Sequence, residues 1–194
     1  VTGVQTCALP ILPVDPLGVS QSLSSAVVQT IDSGGLLRSP SSGGLVGRVG
    51  LNAPVQDSYF TGQLDCLTSH CNGGLVGYLD FRVQDSFSTG LINCSEAENG
   101  LVVSSPPGGL IGCLGMSGSA VNSFWDYETS TQLSSAGGLG ALAKTTSQMK
   151  NIQTFIDAGW DINYSYGSDL NDGYPFLNWQ EGPTNLGDPT WVKY

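Results

Sequence analysis

A five-residue glycine motif recurs along the chain and limits the fold more than any other feature. Residues 43–47 read GGLVG, residues 73–77 repeat it, and residues 108–112 read GGLIG. The separations are 73 − 43 = 30 and 108 − 73 = 35 residues. Periods of this size are typical of proteins in which each repeat buries its apolar face against the next one. The chain is therefore predicted to be a stack of repeats.

A second motif lies between the glycine motifs. Residues 55–62 read VQDSYFTG and residues 83–90 read VQDSFSTG, a spacing of 83 − 55 = 28, and a degenerate copy follows as VNSF at 121–124. These runs are short, β-prone and closed by glycine, and no face with a period near 3.6 separates them. Short strands of this kind bury a face by stacking on their own copies at about 4.8 Å. We therefore predict an all-β fold, a right-handed parallel β-helix (β-solenoid).

The stacking model also predicts columns of equivalent side chains. Leu45, Leu75 and Leu110 are expected to form an interior aliphatic column. Tyr59, Phe87 and Phe124 are expected to form a buried aromatic column.

Charge and hydropathy restrict the partners. The 194 residues include 16 acidic and 6 basic side chains, a formal charge of −10, and a surface of that sign repels phosphate backbones and anionic lipid heads. No run reaches the roughly 18 to 20 apolar residues of a membrane-spanning helix. We expect no nucleic-acid partner, no membrane span and no cofactor, and we regard glycans or surface proteins as the candidate partners.

The first residues are set apart from the rest. Residues 1–11 read VTGVQTCALPI, which matches an in-frame translation of a common sequencing adapter. We exclude them from the fold and expect a metagenomic reading frame truncated at its start. The predicted organisation is residues 1–11 as an artefact, 12–140 as repeats and 141–194 as a C-terminal cap.

The repeats resemble those of the GLUG-motif proteins. The similarity covers roughly residues 36–140, through GGLVG, VQDSYFTG and VQDSFSTG, and residues 123–177 resemble the segment that often ends such arrays. The family occurs in bacterial and archaeal surface proteins, including adhesin-like ones. The resemblance implies an extracellular or cell-surface location and says little about activity.

The terminal segment carries helix signals. Thr145 and Gln148 have the spacing of a capping box, an apolar face follows, and Gly159 supplies a stop. We predict a helix over about 146–158, followed by a final strand or loop, that covers the open end of the stack.

Four cysteines remain after the adapter-like segment. Cys66 and Cys94 each lie eleven residues after their repeat's valine, 66 − 55 = 11 and 94 − 83 = 11. Shared register places them within disulfide range, and a pair of stacked thiols is the competing state. Cys71 precedes its glycine motif whereas Cys113 follows one, so these two are expected not to pair with each other.

Chemical candidates are few. Asp57 and Asp85 occupy equivalent positions, so their carboxylates are predicted to stack, either as a Ca²⁺ or acid–base pair or, the interpretation we favour, as turn residues. His70, the single histidine, is interpreted as a loop residue. Tryptophans that face solvent can stack on sugar rings, which makes Trp125, Trp179 and Trp191 candidate glycan contacts, although burial in the cap is the favoured interpretation.

Three functions fit these observations. The favoured one is a non-enzymatic repeat module of a secreted or cell-surface protein, used for adhesion, for glycan or matrix binding, or as a stalk. The alternatives are a β-helix carbohydrate-active enzyme, a lyase or hydrolase that uses the stacked carboxylates, and a self-assembling extracellular filament subunit.

Overall fold

The protein is rich in β-strands, and within the described part of the chain every strand pair that joins one repeat to another is parallel. The computed structural model describes residues 18–30, 41–66, 71–94, 106–165, 167–181 and 189–194. The prediction of an all-β fold is confirmed. Val1–Ile11 and His70 lie outside the described residues.

The described strands fall into four repeats. The first contains β1 (Val19–Ser20), β2 (Leu23–Ser24), β3 (Val27–Thr30), β4 (Ser41–Gly43) and β5 (Val46–Val49). The second contains β6 (Val55–Gln56), β7 (Tyr59–Phe60), β8 (Gln63–Cys66), β9 (Cys71–Gly73) and β10 (Val76–Leu79). The third contains β11 (Arg82–Gln84), β12 (Phe87–Ser88), β13 (Leu91–Cys94) and β14 (Ile111–Leu114), and the fourth β15 (Ser119–Val121) and β16 (Ser123–Asp126).

Equivalent positions of successive repeats lie side by side. Phe87 pairs with Tyr59 on one side and with Phe124 on the other, and Val83 pairs with Val55. The sheet orders β1-β6-β11-β15 and β14-β10-β5 follow the order of the repeats. The 28-residue spacing of the second motif is therefore the register between the second and third repeats.

The glycine motif makes a turn too tight for a side chain. A Cβ at the first glycine of each copy, Gly43, Gly73 or Gly108, would collide with the carbonyl oxygen three residues later. The strand before the motif is thereby folded back against the strand after it.

The centre of the stack is apolar. Leu75 and Leu110 are fully buried, as predicted, and Leu45 is partly buried against the same cluster. Phe60 and Trp125 belong to this cluster as well, and both ring systems lie directly against a motif glycine. Ser88, which lies between them in register, is fully buried and leaves its Oγ without a hydrogen-bond partner.

A continuous serine ladder crosses the four repeats. The hydroxyl oxygens of Ser58, Ser86 and Ser123 accept from the backbone N–H of the equivalent serine in the preceding repeat, at 3.2, 3.1 and 3.3 Å. Each of these hydroxyls also donates, at 2.7 Å, to the carbonyl two residues earlier in its own repeat. The ladder thus satisfies backbone groups at the corner where the strands bend.

Residues 127–144, named here the end segment, lie over the fourth repeat. They contain α1 (Tyr127–Ser130), a 3₁₀ turn (Gly138–Gly140) and β17 (Ala141–Lys144), which pairs in parallel with β16. The Gly109 amide donates to the Ser134 carbonyl and the Ala136 amide to the Ile111 carbonyl, both at 2.9 Å. The end segment therefore supplies the hydrogen bonds that a further repeat would otherwise make.

Residues 145–194, named here the flank segment, contain two short helices where one was predicted. These are α2 (Thr146–Met149) and α3 (Ile152–Ile156). The capping box of Thr145 and Gln148 is present, but Asn151 has an extended backbone and caps α3, so the prediction of a single helix over 146–158 is wrong. Gly159 ends the helical region at φ 82°, as predicted.

Three strands and a 3₁₀ helix complete the flank segment. They are β18 (Ile162–Tyr164), β19 (Phe176–Leu177), the 3₁₀ helix (Asn178–Glu181) and β20 (Trp191–Lys193). In this small sheet β20 lies between β18 and β19. Among the described residues, no helix has the length and apolar character required to cross a membrane.

Candidate functional site

The aromatic column is covered by the flank segment. Tyr59, Phe87 and Phe124 are buried, with 3%, 0% and 2% of their surface exposed, as predicted. Side chains of adjacent strand residues point to opposite faces, and Phe60 and Trp125 occupy the centre of the stack. The column consequently faces outward, where it joins a second apolar cluster made with the flank segment.

Aromatic rings of the flank segment pack along this column. The ring centroid of Trp191 lies 5.8 Å from that of Tyr59 and 5.6 Å from that of Phe87. The Trp160 ring lies 5.9 Å from Phe124 and 4.8 Å from Trp191. We name this surface the flank seam. It runs along the side of the stack across the second, third and fourth repeats, whereas the end segment covers the open end of the fourth repeat.

Hydrogen bonds join the flank segment to the second and fourth repeats. The Trp191 indole N–H donates to Asp57 Oδ1 at 3.2 Å, and the Tyr59 hydroxyl donates to Gln180 Oε1 at 2.9 Å. At the fourth repeat, the Trp160 indole N–H donates to the Asn122 carbonyl at 2.7 Å. Burial raises the pKa of Tyr59 to about 12, so the phenol stays protonated and can donate.

Asp126 joins the fourth repeat, the end segment and the flank segment. Its Oδ1 accepts the amide N–H groups of Glu128 and Thr129 at 3.0 and 3.2 Å, which caps α1. Its Oδ2 accepts the hydroxyls of Thr146 and Tyr174 at 2.7 and 2.8 Å. The carboxylate is fully buried, and these four donors replace the water it has lost. Burial, together with the bond to Asp126, raises the pKa of Tyr174.

Asp57 and Asp85 occupy the turn that the sequence indicated. Both have left-handed backbones, at φ 47° and 46°, and their amides donate to Gln84 and Val121 carbonyls in the next repeat. Gln21 and Asn122 have the same φ of 46° at the equivalent positions. An uncharged residue therefore fills the same role at either end of the column.

The surroundings of Asp57 change its acidity. Burial, with smaller contributions from the nearby carboxylates of Asp85 and Asp161, raises its pKa to about 6, although the bond from Trp191 opposes the shift. Asp85 accepts from Gln84 through Oδ2 and leaves its buried Oδ1 without a partner. Within the described part of the chain, no group of three or more His, Cys, Asp or Glu side chains is arranged to hold a metal ion.

Two of the three candidate glycan contacts are inaccessible. Trp125 and Trp191 expose 4% and 0% of their surface, so neither ring presents a face to a sugar, and for these two the hypothesis is corrected. The physical reason is that each ring fills one of the two apolar clusters. Trp179, in the 3₁₀ helix, is 40% exposed and keeps an accessible surface.

Both cysteine pairs form disulfides between the second and third repeats. Cys66 and Cys94 are register partners, their Cα atoms lie 4.5 Å apart, and their sulfurs are bonded. Cys71 and Cys113 are also bonded, with Cα atoms 5.3 Å apart, so the prediction that they do not pair is wrong. The turn at the glycine motif folds the strand of Cys71 back against β14, which carries Cys113, and a register argument along one sheet does not include this contact.

Two structural features were missed by the sequence analysis. The serine ladder was visible as the serine shared by VQDS, VQDS and VNS at positions 58, 86 and 123, but no role was given to it. Asp126 carries no repeat signal, because its partners Thr146 and Tyr174 are 20 and 48 residues away. Only the folded flank segment brings those partners to it.

Comparison with known proteins finds a partial relative. No family model matches the chain, and no solved structure matches it. A protein of Evansella cellulosilytica with the description "Putative Gly-rich membrane protein" is 36% identical over 107 residues. The match covers 53% of this chain and 11% of that protein, so the chain spans about a tenth of the length of the relative it matches.

Proposed function

We propose that this chain is a non-enzymatic β-solenoid module of a secreted or cell-surface protein. In this proposal the four repeats wind as a right-handed parallel β-helix, the end segment caps the last repeat and the flank segment braces its side. The module acts as a structural stalk that also presents adhesive or glycan-binding surface. The similarity to GLUG-motif proteins belongs to the same proposal.

The observation that carries the proposal is the use of the repeated polar residues. The serines of the second motif serve the backbone ladder, and the aspartates serve a left-handed turn that Asn122 also adopts. In a carbohydrate-active enzyme we would expect a carboxylate pair free to meet substrate, yet Asp57 already accepts from Trp191 beneath the flank segment. Because the repeated serines and aspartates stabilise the fold, they favour a structural module over an enzyme.

The proposed location outside the cytoplasm is supported by the disulfides. Disulfides persist in oxidising compartments and are rare where glutathione keeps thiols reduced. Two cross-repeat bridges in one short chain are typical of exported proteins. The membrane-protein description of the partial relative is consistent with a surface location.

Two assays test this proposal. A panel of acidic and neutral polysaccharides is incubated with the protein, and we expect no turnover above the level of a heat-denatured control. Turnover that disappears in Asp57→Ala or Asp85→Ala would favour the enzyme instead. A glycan and matrix-protein binding array then compares the wild type with Trp179→Ala, the variant of the accessible tryptophan. The module is expected to bind, and any glycan binding is expected to weaken in the variant.

A further inference from the structure

The two disulfides enclose overlapping lengths of chain, with their four cysteines in the order 66, 71, 94 and 113. Cys71–Cys113 spans 42 residues and Cys66–Cys94 spans 28. With both closed, the shortest covalent path from Cys66 to Cys113 follows 71 − 66 = 5 residues and then crosses the Cys71–Cys113 bridge. If that bridge is absent, the path crosses Cys66–Cys94 and follows 113 − 94 = 19 residues.

The overlap matters when a force pulls on the two ends of the chain. Stacked repeats contact only their neighbours, so they separate one after another once the outermost hydrogen bonds fail. The serine ladder and the flank seam resist this separation by non-covalent contacts alone. Between Cys66 and Cys113, however, the force is carried by a covalent path and not by the hydrogen bonds.

We propose that the two disulfides limit the extension of residues 66–113 to the five-residue stretch between Cys66 and Cys71, with Cys71–Cys113 carrying the load and Cys66–Cys94 taking it over if the first bridge opens. This inference deepens the proposed role as a stalk and rests on it for its biological purpose. A stalk built this way loses its first repeat and its flank segment under load, but the chain between Cys71 and Cys113 stays out of the force path.

We call this arrangement of the two disulfides the lock, and it predicts two distinct changes in the length of the fully extended chain. An extended chain spans at most about 3.6 Å per residue, so the Cys71–Cys113 bridge shortens the fully extended chain by about 150 Å. The Cys66–Cys94 bridge alone shortens it by about 100 Å. Reduction by a phosphine converts each disulfide into two thiols, while the phosphine takes oxygen from water and becomes its oxide. The reduced chain can then extend by this additional length.

Single-molecule force spectroscopy on the full chain, held by handles at both termini, tests the lock. All variants carry Cys7→Ser, so that a fifth thiol cannot exchange. We expect the fully extended oxidised chain to be about 150 Å shorter than the chain reduced with phosphine. The difference should fall to about 100 Å in Cys71→Ser/Cys113→Ser and remain about 150 Å in Cys66→Ser/Cys94→Ser.

The comparison of oxidised and reduced wild-type cysteines needs no other variant, so it remains decisive if a serine variant fails to fold. No change of length on reduction would overturn the lock, and a change of only about 100 Å would remove Cys71–Cys113 from it. The result is independent of the glycan and polysaccharide assays. Failure of those assays with the length change intact would reject the surface role and leave the lock standing.

Discussion

The indole N–H of Trp191 donates to the carboxylate of Asp57, 134 positions earlier in the chain, at 3.2 Å. This bond joins the last described strand to the second repeat. Trp191 is fully buried, and its ring contacts both Tyr59 and Phe87, so one side chain ties the flank segment to two repeats. The flank segment is therefore part of the cooperative fold.

Replacement of Trp191 tests that conclusion. Trp191→Ala removes a large buried ring and its hydrogen bond, and we expect the free energy of unfolding to fall by about 3 to 5 kcal/mol. Trp179→Ala is the matched control because this ring is 40% exposed, and its effect should stay below about 1 kcal/mol. Urea unfolding followed by circular dichroism measures both. Equal losses in the two variants would contradict the flank seam.

Asp57 predicts a pH dependence with a defined sign. Its pKa is raised by burial from 3.8 to about 6, so its contribution to stability is complete below pH 4 and is lost as the pH rises through about 6. Because the carboxyl group is partly exposed, the change should be roughly 1 to 2 kcal/mol. As the pH rises from 4 to 7.5, the free energy of unfolding of Asp57→Asn should therefore increase relative to that of the wild type.

Asp157→Asn is the control for this titration, since Asp157 is exposed at the end of α3. It removes the same formal charge from an exposed position, so the pH dependence of Asp57→Asn is compared with that of this variant. If Asp57→Asn gave a constant difference from the wild type across this range, the burial of the Asp57 carboxyl in the flank seam would be wrong.

Two serines of the third repeat should respond in opposite directions to the same substitution. Ser88→Ala removes a buried hydroxyl that has no partner, and we expect a gain of roughly 1 kcal/mol in the free energy of unfolding. Ser86→Ala removes a hydroxyl that donates to the Gln84 carbonyl and accepts the Ser58 amide, which should cost about 1 to 2 kcal/mol. Denaturant titration of both variants is the measurement. A loss in Ser88→Ala equal to that in Ser86→Ala would argue against the ladder.

Asp126 should be the polar residue with the largest effect in this region. Asp126→Ala leaves four hydrogen-bond donors without their acceptor and should lower the free energy of unfolding by about 3 kcal/mol. Tyr174→Phe removes one of these donors and should lower it by about 1 kcal/mol. Tyr164→Phe, at a side chain that is 56% exposed, is the control with no expected effect. The double variant Asp126→Ala/Tyr174→Phe should lose less than the sum, because the two changes remove the same bond.

The repeat register was accessible from the sequence, whereas the contacts across the stack were not. The spacing of Val55 and Val83 gave the strand pairing, because copies that stack must align. Periodicity does not say which face of a strand lies inside, so it could not distinguish Phe60 in the centre from Tyr59 on the flank. The Cys71–Cys113 bond was missed for a related reason, since it depends on how tightly the glycine turn reverses the chain.

Disulfide mapping tests the in-register stack and its glycine turn most directly. The protein is alkylated and digested without reduction, with chymotrypsin to cut after Leu67 and Tyr78 and a Glu-specific protease to cut after Glu96, so that the four cysteines lie on separate peptides. The structure predicts linked peptides for Cys66 with Cys94 and for Cys71 with Cys113. Linkage of Cys66 to Cys71 or to Cys113 would contradict the register and the folded glycine turn together.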